Sequence, residues 1–121
     1  MQLQVKGKNL HVNDTLRGYA ERKLRKLDRQ LKDSTIVEVE LAVERNPSIA
    51  ESQVAEATVR LPGHTLRARE ASRDMKAAID ELTDKLIRQV HDVRDKRNER
   101  RRRFDRHALD AEAAEAAATE P

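Results

Sequence analysis

The sequence predicts an α+β fold of order β-α-β-β-β-α, a two-layer sandwich with a four-stranded sheet and two helices on one face. Three observations carry this. Two segments place apolar residues at helical spacing, near the start and in the second half of the chain. Between them lie three consecutive segments in which apolar and polar residues alternate strictly. A further short alternating segment precedes the first helix, so one strand comes before it and three follow it.

The elements follow in order. Gln2 to Lys6 alternates with Leu3 and Val5 on one side and reads as a short strand, and Gly7-Lys8-Asn9 supplies a turn. Asn13 or Asp14 can cap the next element. From Thr15 to Leu31, the set Leu16, Ala20, Leu24, Leu27 and Leu31 forms one stripe of an amphipathic helix. Thr35 to Glu44 then switches to period two, with Val37, Val39, Leu41 and Val43 against Glu38, Glu40, Ala42 and Glu44. Asn46-Pro47-Ser48 breaks that strand. Gln53 to Leu61 alternates again, with Ala55, Ala57, Val59 and Leu61 facing one way. Pro62-Gly63-His64 makes a hairpin turn into a last strand, Thr65 to Ala71, carrying Leu66 and Ala68 against Arg67 and Arg69. The glutamates and arginines of these strands share a face, so cross-strand ion pairs on an open sheet surface are expected. The opposite face must be covered by the helices. Ser72 is the expected cap of the final helix, with Asp74 in its first turn, and Met75, Ile79, Leu82, Leu86, Val90 and Val93 form its apolar stripe.

Composition narrows the function classes. The chain has 121 residues, 37% hydrophobic and 39% charged, with one Phe, one Tyr and no Trp or Cys. That is enough for one compact domain with a lean aliphatic core. Without cysteine there is no disulfide framework, thiolate metal site or thiol nucleophile. No run has the length of a signal-peptide core or a membrane span, so a cytoplasmic location is expected. His11, His64, His91 and His107 are not spaced as metal ligands, and neither a phosphate-cradling glycine loop nor a nucleophile elbow occurs. No cofactor, metal, small-molecule substrate or enzymatic activity is expected.

Charge is distributed unevenly. The net charge is +3, yet all 25 Lys and Arg lie at or before Arg106, while Asp110, Glu112, Glu115 and Glu120 follow it. The sequence therefore divides into a basic body, residues 1–106, and an Ala/Glu-rich segment, 107–121, expected to be a disordered tail or a truncated linker. On the first helix Arg22, Arg25, Arg29 and Lys32 form a second stripe nearly opposite the apolar one, bordered by Lys26, with Lys23 toward the core edge. A solvated outer face, with Glu21 and Asp28 in local salt bridges, accounts for that stripe equally well. The last helix is more informative. Beyond Val93 it carries Arg94, Lys96, Arg97, Arg100, Arg101, Arg102, Arg103 and Arg106, interrupted only by Asp95, Glu99 and Asp105. These cations repel one another, and a polyanion relieves that repulsion by binding phosphates and releasing counterions. With almost no aromatics there is no base-stacking platform, so recognition of structured RNA by phosphate and shape is expected over single-strand binding.

Two spaced motifs carry a family resemblance. Leu16-Arg17-Gly18-Tyr19-Ala20-Glu21-Arg22-Lys23-Leu24-Arg25-Lys26-Leu27, after the strand-turn Leu3-Gln4-Val5-Lys6-Gly7-Lys8-Asn9, is similar to the first-helix pattern of the ribosome hibernation-promoting factors. These are also called ribosome-associated inhibitor A or protein Y. Asp74-Met75-Lys76-Ala77-Ala78-Ile79-Asp80 and Asp84-Lys85-Leu86-Ile87-Arg88-Gln89 resemble their second-helix pattern. The resemblance covers about residues 1 to 105. It implies a domain like the double-stranded-RNA-binding fold, and binding to rRNA of the small ribosomal subunit on intact ribosomes. It also implies occupation of the mRNA channel near the decoding centre, exclusion of mRNA and tRNA, and inhibition of translation under stress. The implied RNA-binding positions are Lys23 and Lys26 on the first helix and Lys85 and Arg88 on the second. Arg94, Lys96, Arg97, Arg100 and Arg101 match the family's basic helix end by position and charge. Arg22, Arg25 and Arg29 complete the expected ridge, on a chain expected to be a monomer when free and to bind no membrane.

The sequence departs from the family at Lys76, a position often aromatic in these proteins, and it stops before the dimerisation domain that long members carry. Two other readings stay open. A general double-stranded-RNA-binding module needs only the cations and not the motif spanning residues 74 to 89. A protein-interaction adaptor would use the open sheet face or the tail.

Overall fold

The computed structural model describes residues 1–44 and 52–119, with side chains throughout except at 97–99 and from 103 onward. The elements are β1 (Gln2–Gly7), α1 (Asp14–Leu24), a 3-10 segment (Arg25–Gln30), β2 (Ile36–Val43), β3 (Gln53–Leu61), β4 (His64–Ser72) and α2 (Met75–Thr119). The α+β order is the expected one, and each strand end lies within a residue of its predicted position. The break at Asn46-Pro47-Ser48 lies outside the described residues.

The four strands form one sheet in the order β1-β2-β3-β4. β1 and β2 are parallel, with α1 and the 3-10 segment as their crossover, and the remaining pairs are antiparallel. Register puts Val5, Val39, Ala57 and Ala68 in one row across the sheet, with Val37, Val59 and Leu66 in the next. These residues are buried, as are Leu41 and Ala55. Ala20, Leu24 and Leu27, with Met75, Ala78, Ile79, Leu82, Leu86 and Val90 of α2, supply the helical layer. Since both helical stripes and one sheet face are buried, the helices share that face. The core is almost wholly aliphatic. Thr83 enters it by donating its hydroxyl to the Ile79 carbonyl at 2.8 Å.

The other sheet face is wet, and cross-strand ion pairs form there as expected. Arg60 meets Glu38 at 3.6 Å, Lys6 meets Glu40 at 3.9 Å, and Arg69 pairs with Glu44. Turn chemistry is equally direct. Pro62 and Gly63 occupy the two positions between the paired Leu61 and His64, and Gly63 has φ of +71°. Gly7 ends β1 where a Cβ would fall 2.1 Å from the Leu10 carbonyl oxygen. Asn9 then continues the ladder with its side chain, donating to the Val43 carbonyl at 2.6 Å and accepting from the Val43 N–H at 2.9 Å.

Two expectations, the length of the first helix and the cap of the second, are corrected. The first helix is α-helical only to Leu24 and tightens to 3-10 geometry from Arg25, leaving Leu16 and Leu31 half-buried. Asn13, not Asp14, caps it, accepting the Leu16 N–H at 2.8 Å. Ser72 is the last residue of β4, paired with Gln53, and does not cap α2; the Asp74 carbonyl accepts the Ala78 N–H at its start. The helix α2 runs from Met75 to Thr119. Between Met75 and Thr119 there is no Gly or Pro, and Ala and Glu are strong helix formers. The chain divides into two compact units, Met1–Val90 and His91–Pro121. Val90 is the last buried apolar residue described, and Val93 is only half-buried.

Leu82 is fully buried, so Leu82→Ala should lower unfolding free energy by about 2–5 kcal/mol. Removing the α1 cap with Asn13→Ala should cost about 1 kcal/mol. Urea denaturation followed by circular dichroism measures both.

Candidate nucleic-acid interface

The transition from α to 3-10 geometry decides where the first helix's cations go. The stripe of Arg22, Arg25, Arg29 and Lys32 is drawn on a continuous α-helix; Arg22 lies in α1, Arg25 and Arg29 in the 3-10 segment and Lys32 beyond it, and all four are exposed. Lys23 and Lys26, three residues apart across the transition, line a shallow groove together with Asp80, Thr83 and Asp84 of α2. Arg25 lines a different depression, with Met1, Leu3, Glu21 and Asp28. Asp28 pairs with the Met1 ammonium at 3.3 Å rather than with a helix arginine. Arg22 is exposed, its Nε–H reaching the Gly18 carbonyl at 3.4 Å, and Arg29 is exposed. Arg17 is structural: its guanidinium donates to the Val5 carbonyl at 2.6 Å and ties α1 to β1.

On α2, Lys85 and Arg88 have different surroundings. Lys85 is half-buried and pairs with Glu70 of β4 at 3.3 Å. It therefore sits on the β4 side and does not join Lys23 and Lys26 in their groove. Arg88 is exposed, with no carboxylate at ion-pair distance among the described residues. In the second compact unit, Arg94, Lys96, Arg100 and Arg101 are exposed on helical backbone, as is Arg102. The Arg97 side chain lies outside the described residues. His91 and Asp95 pair at 3.2 Å, one turn apart.

The junction of α1 with α2 holds residues that local periodicity did not single out. The Tyr19 hydroxyl donates to Asp80 Oδ1 at 2.7 Å, and Lys23 Nζ lies 3.6 Å from the same oxygen. Lys23 Nζ and Lys76 Nζ stand 5.5 and 5.4 Å from the Tyr19 ring centroid, within cation–π range. The hydrogen bond to Asp80, then burial and the nearby carboxylate charges, push the Tyr19 hydroxyl above its usual pKa, with Arg22 opposing. Both partners of the Lys23–Asp80 pair are well exposed, so it contributes at most about 1 kcal/mol. Its effect is on charge placement: the groove carries Asp80 and Asp84 beside Lys23 and Lys26 and is nearly neutral. Arg22, Lys26, Arg29, Lys76 and Arg88 are exposed. A signal for the junction was present in the sequence, since Tyr19, Asp80 and Lys76 lie inside the two motifs. Their contact joins residues about 60 positions apart, which no local pattern reports.

Among the described residues, no cluster of His, Asp and Glu could hold a metal ion, and no helix is long and apolar enough to cross a membrane.

Comparison with known proteins gives a consistent answer. The family profile described as Sigma 54 modulation protein / S30EA ribosomal protein matches residues 3–98. A ribosome hibernation promoting factor from Azotobacter vinelandii is 40% identical over 90 residues, 74% of this chain and 79% of that protein. A ribosome hibernation promotion factor from Picosynechococcus is 36% identical over 91 residues, 74% of this chain but 47% of that protein. The chain thus spans about half the length of that relative and of a similar one from Deinococcus radiodurans, where the share is 46%. Among solved structures, the protein Y N-terminal domain of Thermus thermophilus superposes with a TM-score of 0.63 at 35% identity, covering 74% of this chain and 96% of that one. A ribosomal subunit interface protein from Coxiella burnetii shares the fold, with a TM-score of 0.66 at 24% identity over 78% of this chain and 98% of that one.

The lone tyrosine makes its ionisation directly observable. Tyrosinate absorbance should titrate above the usual value of 10.0, and Asp80→Asn should bring it down. The sign for stability follows, because a raised folded pKa means the bond's contribution is complete below pH 10.0 and is lost as pH rises through the folded value. Alkaline denaturation of Tyr19→Phe should accordingly lack this component.

Proposed function

The chain belongs to the Sigma 54 modulation protein / S30EA ribosomal protein family, and from that premise we propose that it is a ribosome hibernation factor. In this reading it binds rRNA of the small subunit in the mRNA channel at the decoding region, on intact ribosomes. Its bulk there excludes mRNA and tRNA, so translation stops under stress while the ribosome is preserved. The protein acts in the cytoplasm, as a monomer when free, and by occlusion rather than catalysis.

The observation that carries the reading is the matched span itself, residues 3–98, because it contains both motif-bearing helices and the start of the basic run. The side-chain arrangement supports it. Lys23 and Lys26 line one groove, Arg22, Arg29 and Arg88 are exposed, and Arg94, Lys96, Arg100 and Arg101 continue the positive charge along α2. Lys and Arg gripping phosphates give affinity without reading bases, which suits a site formed by folded rRNA. Lys85 takes part only by exchanging Glu70 for a phosphate, and Arg25 contributes from a neighbouring surface.

Sedimentation of stationary-phase lysate through sucrose gradients tests the proposal. The protein should migrate with intact ribosomes and be released as salt is raised. Recovery only in the light fractions, with ribosomes intact, would overturn it. The double variant Lys26→Gln/Arg88→Gln should fold normally yet reduce the slope of log affinity against log salt by about two. Excess duplex RNA should displace a generic binder and leave a groove-specific one in place.

A further inference from the structure

At the α1–α2 junction, two ammonium groups stand over one tyrosine ring. Lys23 and Lys76 come from different helices, yet each Nζ lies about equally far from the Tyr19 centroid, at 5.5 and 5.4 Å. Like charges converging on one ring repel each other, so something must hold them. Part of that is visible: the π system of the ring attracts each of them, and Asp80 accepts the Tyr19 hydroxyl and lies beside Lys23. The compensation is incomplete. Asp80 and Asp84 stand on the Lys23 side, whereas Lys76 holds no carboxylate there. Lys76 is exposed and has no ion-pair partner among the described residues. An exposed, unpaired ammonium beside a second one at the same ring suits a phosphate group.

From this geometry we infer that Lys23 and Lys76 form a two-ammonium cradle for one RNA phosphate, with the Tyr19 ring as the floor that positions both. The inference rests on the RNA-binding reading above and adds Lys76 and Tyr19 to its residues. Lys76 contacts the phosphate directly. Tyr19 acts through the lysines, since a ring covered by two ammonium groups is not offered to a base for stacking. Lys76 was set apart in the sequence only as a departure from the family pattern, and the cradle gives that departure a use.

The test measures binding of the full chain to purified ribosomes, and to a duplex RNA at low salt, across a salt series. Lys76→Gln should lower the salt slope by about one on either RNA and weaken binding several-fold at moderate salt, while Lys76→Arg keeps the slope. Tyr19→Leu, which changes no charge, should weaken binding comparably. Combining it with Lys23→Gln/Lys76→Gln should add nothing further. A merely structural tyrosine would lower the melting temperature and weaken binding whether or not the lysines were present. If Lys76→Gln keeps the wild-type affinity and slope while Lys26→Gln loses both, the cradle is wrong and the hibernation reading stands. If the wild type binds duplex RNA but not ribosomes, and Lys76→Gln still lowers that slope, the cradle stands and the hibernation reading falls. Binding to neither RNA overturns both.

Discussion

The structure depends on covering one face of a four-stranded sheet with aliphatic side chains alone. Val37, Val39, Leu41, Ala55, Ala57, Val59, Leu66 and Ala68 present small and branched groups, and the stripes of α1 and α2 close over them. Each fully buried Val, Leu or Ile contributes roughly 1.5–3 kcal/mol, and with no large aromatic to fill space, close fit of many small groups must do the work. Both helices therefore commit their inner faces to the sheet. Among the described residues no Asp, Glu, Lys or Arg is buried, which is how a chain with 39% charged residues folds around a core at all.

That partition separates the residues that hold the protein together from those available to a partner. Arg17 belongs to the first group despite its charge, because its bond to the Val5 carbonyl fixes the crossover that makes β1 and β2 parallel. Arg22, Lys26, Arg29 and Arg88 belong to the second, being exposed. Lys23 and Lys85 stand between, each holding a carboxylate in the free protein. The sites are thus partly self-neutralised. The groove lined by Lys23, Lys26, Asp80 and Asp84 is accordingly less positive than the basic composition suggests.

The strands and helical stripes were legible because burial on one face imposes a period of two or 3.6, and Val37–Val43 and Met75–Val90 show those periods without interruption. Register was not directly legible, but the alternation fixed which residues face the core. What the sequence hid was set by geometry between elements or by weak local preference. The tightening at Arg25 leaves the spacing of Leu24 and Leu27 compatible with either helix type, so the change of helix type left no mark in the apolar pattern. Ser72 has cap chemistry but is held by the β4 ladder through Gln53. The Ala/Glu segment lacks an apolar stripe and so reads as tail, although nothing in it stops a helix. Tyr19, Asp80 and Lys76 meet only once the helices are side by side.

The outermost position of β4 has a consequence for colloidal behaviour. Among the described residues this nine-residue strand pairs only with β3, at one edge of the sheet. Such an edge is a template on which a second copy could add its own strand and begin a fibre. Arg67 and Arg69, exposed and two residues apart, place charge along it, so two such edges brought together antiparallel would set arginine against arginine. Resistance to edge-to-edge aggregation is thus written into one strand, independently of the chain's modest net charge.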